Sequence, residues 1–168
     1  MRRSISRERQ QPDRFYIDSR MAAVEAINQL DAASGDVGEV LALLADIPVR
    51  SRFVTLTCLK DGTVGIYYSS GESHPRIGRS GKRLPPAGKL LLSRLALIAD
   101  GFSYVPEVES LEGSENVKNT CVYFKCCDGL RKVEYDMSRL DECDEDIRSL
   151  DTMLKDLLRM IRRSKERL

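Results

Sequence analysis

The chain reads as an α+β protein: an antiparallel sheet of two Asp-Gly hairpins in a β-β-α-β-β-α core, led by N-terminal helices and closed by a long amphipathic C-terminal helix. Two patterns carry that expectation. Asp61-Gly62 and Asp128-Gly129 each stand between β-rich runs, and Asp-Gly favours a two-residue type I′ turn because both central residues need positive φ. Near the end, Leu140, Cys143, Ile147, Leu150, Leu154, Leu157 and Ile161 recur at alternating steps of three and four, which lines one side of a helix.

A length of 168 residues fits one compact domain with a short arm. Residues 1–17 are Arg-, Gln- and Ser-rich and are expected to form a disordered basic arm, leaving a single domain over 18–168. A first helix is expected from Asp18–Ser19 through MAAVEAINQLDAA, with Ala23, Ile27 and Leu30 as its apolar stripe. Asp36, with Glu39 three residues on, reads as a capping box for a second helix. Val40, Leu43, Leu44 and Ile47 would form its buried face, and Pro48 would end it, completing a helical lead-in over 18–48.

The first hairpin spans Arg52–Lys60 and Thr63–Ser69. A two-residue loop sets Leu59 against Val64, Thr57 against Ile66 and Thr55 against Tyr68. Both of its faces are apolar, which places it centrally or under cover on both sides. The second hairpin spans Thr120–Cys127 and Leu130–Asp136. The same reasoning pairs Val122 with Tyr135 and Phe124 with Val133, and leaves a wet face of Lys125, Lys132, Tyr123 and Glu134. Between the hairpins, Pro86–Gly101 is expected to form an apolar core helix, and 103–119 an acidic loop. The last helix is expected over about 139–166. Its acidic start and basic end suit the helix dipole.

This order of elements resembles the Roadblock/dynein light chain family and its longin-like relatives. The stretch VTLTCLKDGTVGIYYSSG, followed by IGRSG, is also similar to small uncharacterised bacterial proteins with a glycine-rich strand–loop–helix. The resemblance covers roughly residues 36–166 by pattern. It implies a non-catalytic α/β sandwich that dimerises through sheet and helix and attends small GTPases, and it transfers no catalytic residue.

Charge and cysteine usage narrow the function. With 27 Lys+Arg against 26 Asp+Glu the net charge is +1, built from alternating blocks. That balance suits protein association better than polyanion binding, so nucleic acid is not an expected partner. No apolar run reaches the length a spanning helix needs, so no membrane is expected. The opening MRRSISRERQQPDR has no apolar h-region, so no secretory signal is expected. Five cysteines without a CxxC pair point to reduced thiols and a cytoplasmic setting. Adjacent Cys126 and Cys127 would point to opposite faces of a strand, so no metal is expected. His74 is the only imidazole and no triad assembles around it, so neither an enzyme nor a cofactor is expected.

Two sets of residues remain as candidate sites. The glycine-rich loop GESHPRIGRSGKR leads into a helix and carries Arg76, Arg79, Lys82 and Arg83, with Lys89 beyond. Backbone amides and these cations would hold a phosphate or nucleotide. The loop is not a Walker A, because Arg76 occupies the first Gly position and Arg83 the Mg²⁺-binding Ser/Thr position. The other reading of it is a solvated basic loop. The second set is the three-four seam, Leu140, Cys143, Ile147, Leu150, Leu154, Leu157 and Ile161, expected to pair antiparallel with a second copy. Its alternative is packing on the domain's own sheet. The expected role is a non-catalytic interaction or adaptor module whose partner is itself, as a homodimer, or another protein.

Overall fold

In the computed structural model the described residues are 12–31, 39–49, 52–61, 63–70 and 118–163, with side chains through 160. They form an α+β fold with a five-stranded, wholly antiparallel sheet and a helix at each end. The elements are α1 (Arg14–Asn28), β1 (Val40–Val49), β2 (Arg52–Leu59), β3 (Val64–Tyr68), β4 (Asn119–Cys126), β5 (Gly129–Asp136), a 3₁₀ turn (Met137–Glu142) and α2 (Glu145–Arg163). Strand order is β3-β2-β1-β4-β5.

The largest correction concerns residues 40–49. The expected second helix is the central strand, paired with β2 on one side and β4 on the other. Leu41 through Ile47 are all buried, Asp46 included. A strand covered on both faces has no reason to alternate, so VLALLADIPV is apolar at nearly every position and also satisfies a helical template. Pro48 lies past the last pair with β4, Asp46 with Cys121, where that ladder has already ended.

Helix α1 also begins earlier than expected. Asp13 is its N-cap and accepts from the Phe15 N–H at 2.8 Å. Residues 14–17 are therefore helical rather than part of a disordered arm. The expected stripe of Ala23 and Ile27 is buried, and Tyr16 extends it one step toward the N-terminus.

Both hairpin registers differ from the two-residue Asp-Gly expectation. In β2–β3, Cys58 pairs with Val64, Leu56 with Ile66 and Val54 with Tyr68. Lys60 keeps pairing with β1, donating its N–H to the Leu41 carbonyl at 2.8 Å, while Leu59 bonds Thr63 across the bend. The connection is thereby lengthened, and this one-residue slip moves Thr55 and Thr57 to the face opposite Ile66. In β4–β5 the closing pair is Cys126 with Gly129, so Val122 faces Val133 and Tyr123 faces Lys132. That slip is two positions, which preserves the faces but changes the neighbours. The wet face expected there is partly covered, since Cys121 and Tyr123 are buried.

The sheet separates two cores. One side carries Leu43, Leu56, Ile66, Val122, Phe124 and Val133 beneath α2, whose Leu150, Leu154 and Leu157 are fully buried. The other carries Ala42, Leu44, Cys121, Tyr123 and Leu130 against Ile27 of α1.

The C-terminal region is not one helix. Asp136 caps a 3₁₀ turn by accepting from the Ser138 N–H at 2.8 Å. Arg139 is non-helical, and α2 starts only at Glu145. Leu140 lies in the turn and Cys143 is its C-cap, yet both pack on the same core as α2. The three-four spacing thus describes a continuous apolar face carried by two separate elements. The expected helix over Pro86–Gly101 lies outside the described residues.

Candidate functional site

The most concentrated polar chemistry among the described residues sits between α1 and the sheet. Asp46 is the single charged residue in the apolar run of β1, at the middle of the sheet, and is only 3% exposed. A buried carboxylate needs compensation. Strand pairing sets Thr55 of β2 on one side of it and Cys121 of β4 on the other. The helical period brings Tyr16 and Arg20, four residues apart, onto the inward side of α1.

The resulting network is closed. Arg20 Nη2 reaches Asp46 Oδ2 at 2.6 Å, and its Nε lies 3.2 Å from both carboxylate oxygens. Thr55 donates its hydroxyl to Asp46 Oδ1 at 2.5 Å, and the Tyr16 and Thr55 hydroxyls lie 2.8 Å apart. Burial, reinforced by the Asp46 charge, pushes the Tyr16 phenol above its ordinary value. Burial is the largest effect and works against the Arg20 charge, but the hydrogen bond to Asp46 and the Asp46 charge, joined by Tyr16 and Tyr123, together hold the guanidinium above its usual value. Burial also raises the Cys121 thiol and the Tyr123 phenol. At neutral pH Cys121 is a protonated thiol, which is a poor nucleophile. The arrangement ties α1 to β1 and β2.

A second tie lies on the opposite face. Tyr135 of β5 donates to Asp151 Oδ1 at 3.2 Å, and Lys155 approaches Asp151 Oδ2 at 2.5 Å. Burial, and then the Asp151 charge, raise the Tyr135 phenol. This cluster anchors α2 to β5.

Arg76, Arg79, Lys82, Arg83 and Lys89 lie outside the described residues. Of the seam, Leu150, Leu154 and Leu157 are buried in the chain's own core, and Ile147 is half-buried against it. The side chain of Ile161 lies outside the described residues. Among the described residues no group of three or more His, Cys, Asp or Glu side chains is placed to hold a metal ion, and no helix is long and apolar enough to cross a membrane. All five cysteines are free, with Cys58, Cys121 and Cys126 buried.

Sequence reasoning missed both ties. A lone acid inside an otherwise apolar run was the available signal for Asp46, and the four-residue spacing of Asp151 and Lys155 was the signal for the second. Nothing in the sequence pointed to the arginine that neutralises Asp46, 26 positions away. No family model matches the chain, and neither a curated protein nor a solved structure matches it.

Proposed function

We propose that this chain is a non-catalytic interaction module that associates with itself and docks onto another protein. The observation that carries the reading is the outer side of α1. There Ile17 and Met21, one helical turn apart, are 43% and 63% exposed, and Phe15, on another side of the same helix, is 50% exposed. Large apolar side chains gathered on one exposed element favour a contact surface. The buried ionisable groups support the same reading, because Asp46, Arg20, Tyr135 and Asp151 are each engaged in holding a helix to the sheet. Regulation of a small GTPase is the form of this role that the Roadblock-like resemblance suggests.

A photo-crosslinker placed at Met21 of the full chain tests the proposal, read by mass spectrometry alongside concentration-dependent light scattering. The expected result is a specific adduct to a second protein together with a mass above that of the monomer. A monomer at all concentrations, without adducts, would overturn it. The competing phosphate- or nucleotide-binding reading rests on residues 71–89. Saturable stabilisation by nucleotides, abolished by Arg79→Ala with Lys82→Ala, would replace the present one.

A further inference from the structure

We infer that two copies of the chain join through α1, the two helices running antiparallel about a two-fold axis. Arg14 of each copy then meets Glu25 of the other, on either side of a centre made by Ile17 and Met21. The inference rests on the self-association reading above and supplies its contact.

The inward side of α1 is settled: Tyr16, Ala23 and Ile27 are buried, and Arg20 is bound to Asp46. At about 100° per residue, Arg14, Ile17, Met21, Glu25 and Asn28 fall within an arc of about 80° elsewhere on the helix. All five are exposed. They make a stripe along the whole of α1, with a base at its start, two large apolar side chains in the middle and an acid near its end. Phe15 lies outside that arc and outside the pair.

The two charges stand where their own helix disfavours them. Arg14 opens a first turn that holds no acid, and Glu25 lies in a last turn that holds no base. A helix carries partial positive charge at its N-terminal end and partial negative charge at its C-terminal end, so each residue opposes its own dipole. Among the described residues Arg14 makes no ion pair, and the Glu25 carboxylate accepts only from Gln29 Nε2, 3.4 Å away.

An antiparallel neighbour reverses both conflicts. It brings the C-terminal end of one helix, with Glu25, to the Arg14 end of the other. A two-fold axis passing between Ser19 and Arg20 levels Arg14 with Glu25 twice. The same axis brings Ile17 of each copy within about 1.5 Å, along the helix, of Met21 of the other. Moving the axis to Met21 would set Asp18 close to Glu25, acid beside acid. A parallel pair would set Arg14 on Arg14 and Glu25 on Glu25. The stripe is therefore complementary to itself in one orientation, as an isologous contact requires. Four helical turns bury little area, so the association belongs to the weak, reversible class.

The test is sedimentation equilibrium of the full chain at high concentration, with circular dichroism confirming the fold of each variant. The wild-type chain should dimerise, with a dissociation constant that rises with salt. Arg14→Glu and Glu25→Arg should each weaken association by about tenfold, because two attractive pairs become two repulsive ones. Each gives its helix end the sign the dipole favours, so the helix should stay intact. An equimolar mixture of the two variants should recover association, since every facing pair is again opposite in charge. Met21→Ser should also weaken it, and serves if a charge reversal disturbs folding. A monomeric wild type would overturn both this pairing and the self-association reading. A dimer indifferent to all three substitutions would overturn the α1 contact alone. Weakening by the two reversals without recovery in the mixture would overturn the antiparallel register.

Discussion

At Asp46 a single carboxylate in the middle of a sheet is neutralised from a helix above it, and the balance there is unforgiving. Removing the guanidinium leaves the acid with no opposite charge and only the Thr55 hydroxyl to compensate it, which costs more than the pair itself contributes. Arg20→Ala should destabilise the fold by about 2–3 kcal/mol, below the cost of orphaning a wholly buried charge because Arg20 keeps an edge in water. Replacing both partners, Arg20→Met with Asp46→Leu, should recover part of that loss. Urea midpoints of the wild type, Arg20→Met, Asp46→Leu and the double variant check this, and additive losses would show that the two residues do not act as a pair. Gly65 is a second sensitive residue. A Cβ there would meet Thr57 Oγ1 and Tyr67 Oη, each at 2.7 Å. The β-branched Thr57 is buried opposite it and cannot swing away freely. Gly65→Ala should cost about 1–2 kcal/mol despite the gain in strand propensity. Thermal unfolding would read this as a lowered midpoint.

Among the elements, α2 depends most on its packing. Its Leu150, Leu154 and Leu157 share one core with Val133 and Leu56 of the sheet, where deleting a leucine side chain costs about 2–5 kcal/mol. Leu154→Ala should therefore lower the urea midpoint sharply, and Leu154→Asp should leave the chain unfolded by circular dichroism. A folded Leu154→Asp monomer would show instead that Leu154 serves a partner. The strict three-four spacing that suggested a helical seam is explained locally. Leu140 and Cys143 continue the apolar face of α2 from a 3₁₀ turn, although the helix itself begins only at Glu145. Strand β1 gives the converse case. Leucine and alanine favour a helix, but the segment enters a sheet because β2 and β4 can bury it on both sides.

For the molecule as a whole, the buried thiols and phenols shift in one direction. Burial raises the Cys58 and Cys121 thiols and the Tyr16, Tyr123 and Tyr135 phenols. The folded chain therefore keeps protons that the unfolded chain releases, from thiols near pH 8.5 and phenols near pH 10. The stability these groups contribute is intact below about pH 8.5 and is lost as pH rises toward the folded-state values. Urea midpoints should be flat between pH 6 and 8 and fall by pH 10. Cys58→Val should soften the early part of that fall. A midpoint that rises with alkali would contradict the buried, protonated state of these side chains.

The sequence alone determined the class and the periodic segments. An α+β composition, the β-rich runs around residues 52–69 and 119–136, the apolar stripe of Ala23 and Ile27 and the apolar face from Leu140 to Leu157 are all local patterns. Each depends on residues a few positions apart, and short-range spacing is what a linear sequence displays. Tertiary structure decided the rest. VLALLADIPV became the central strand because partners from both halves of the chain covered it. The β2–β3 register moved by one residue because β1 captured Lys60, and α1 reached back to Asp13 because Tyr16 and Arg20 found Thr55 and Asp46. These outcomes turn on contacts between residues nine to nearly ninety positions apart, where the free energy of burying a strand or pairing a charge outweighs any local preference.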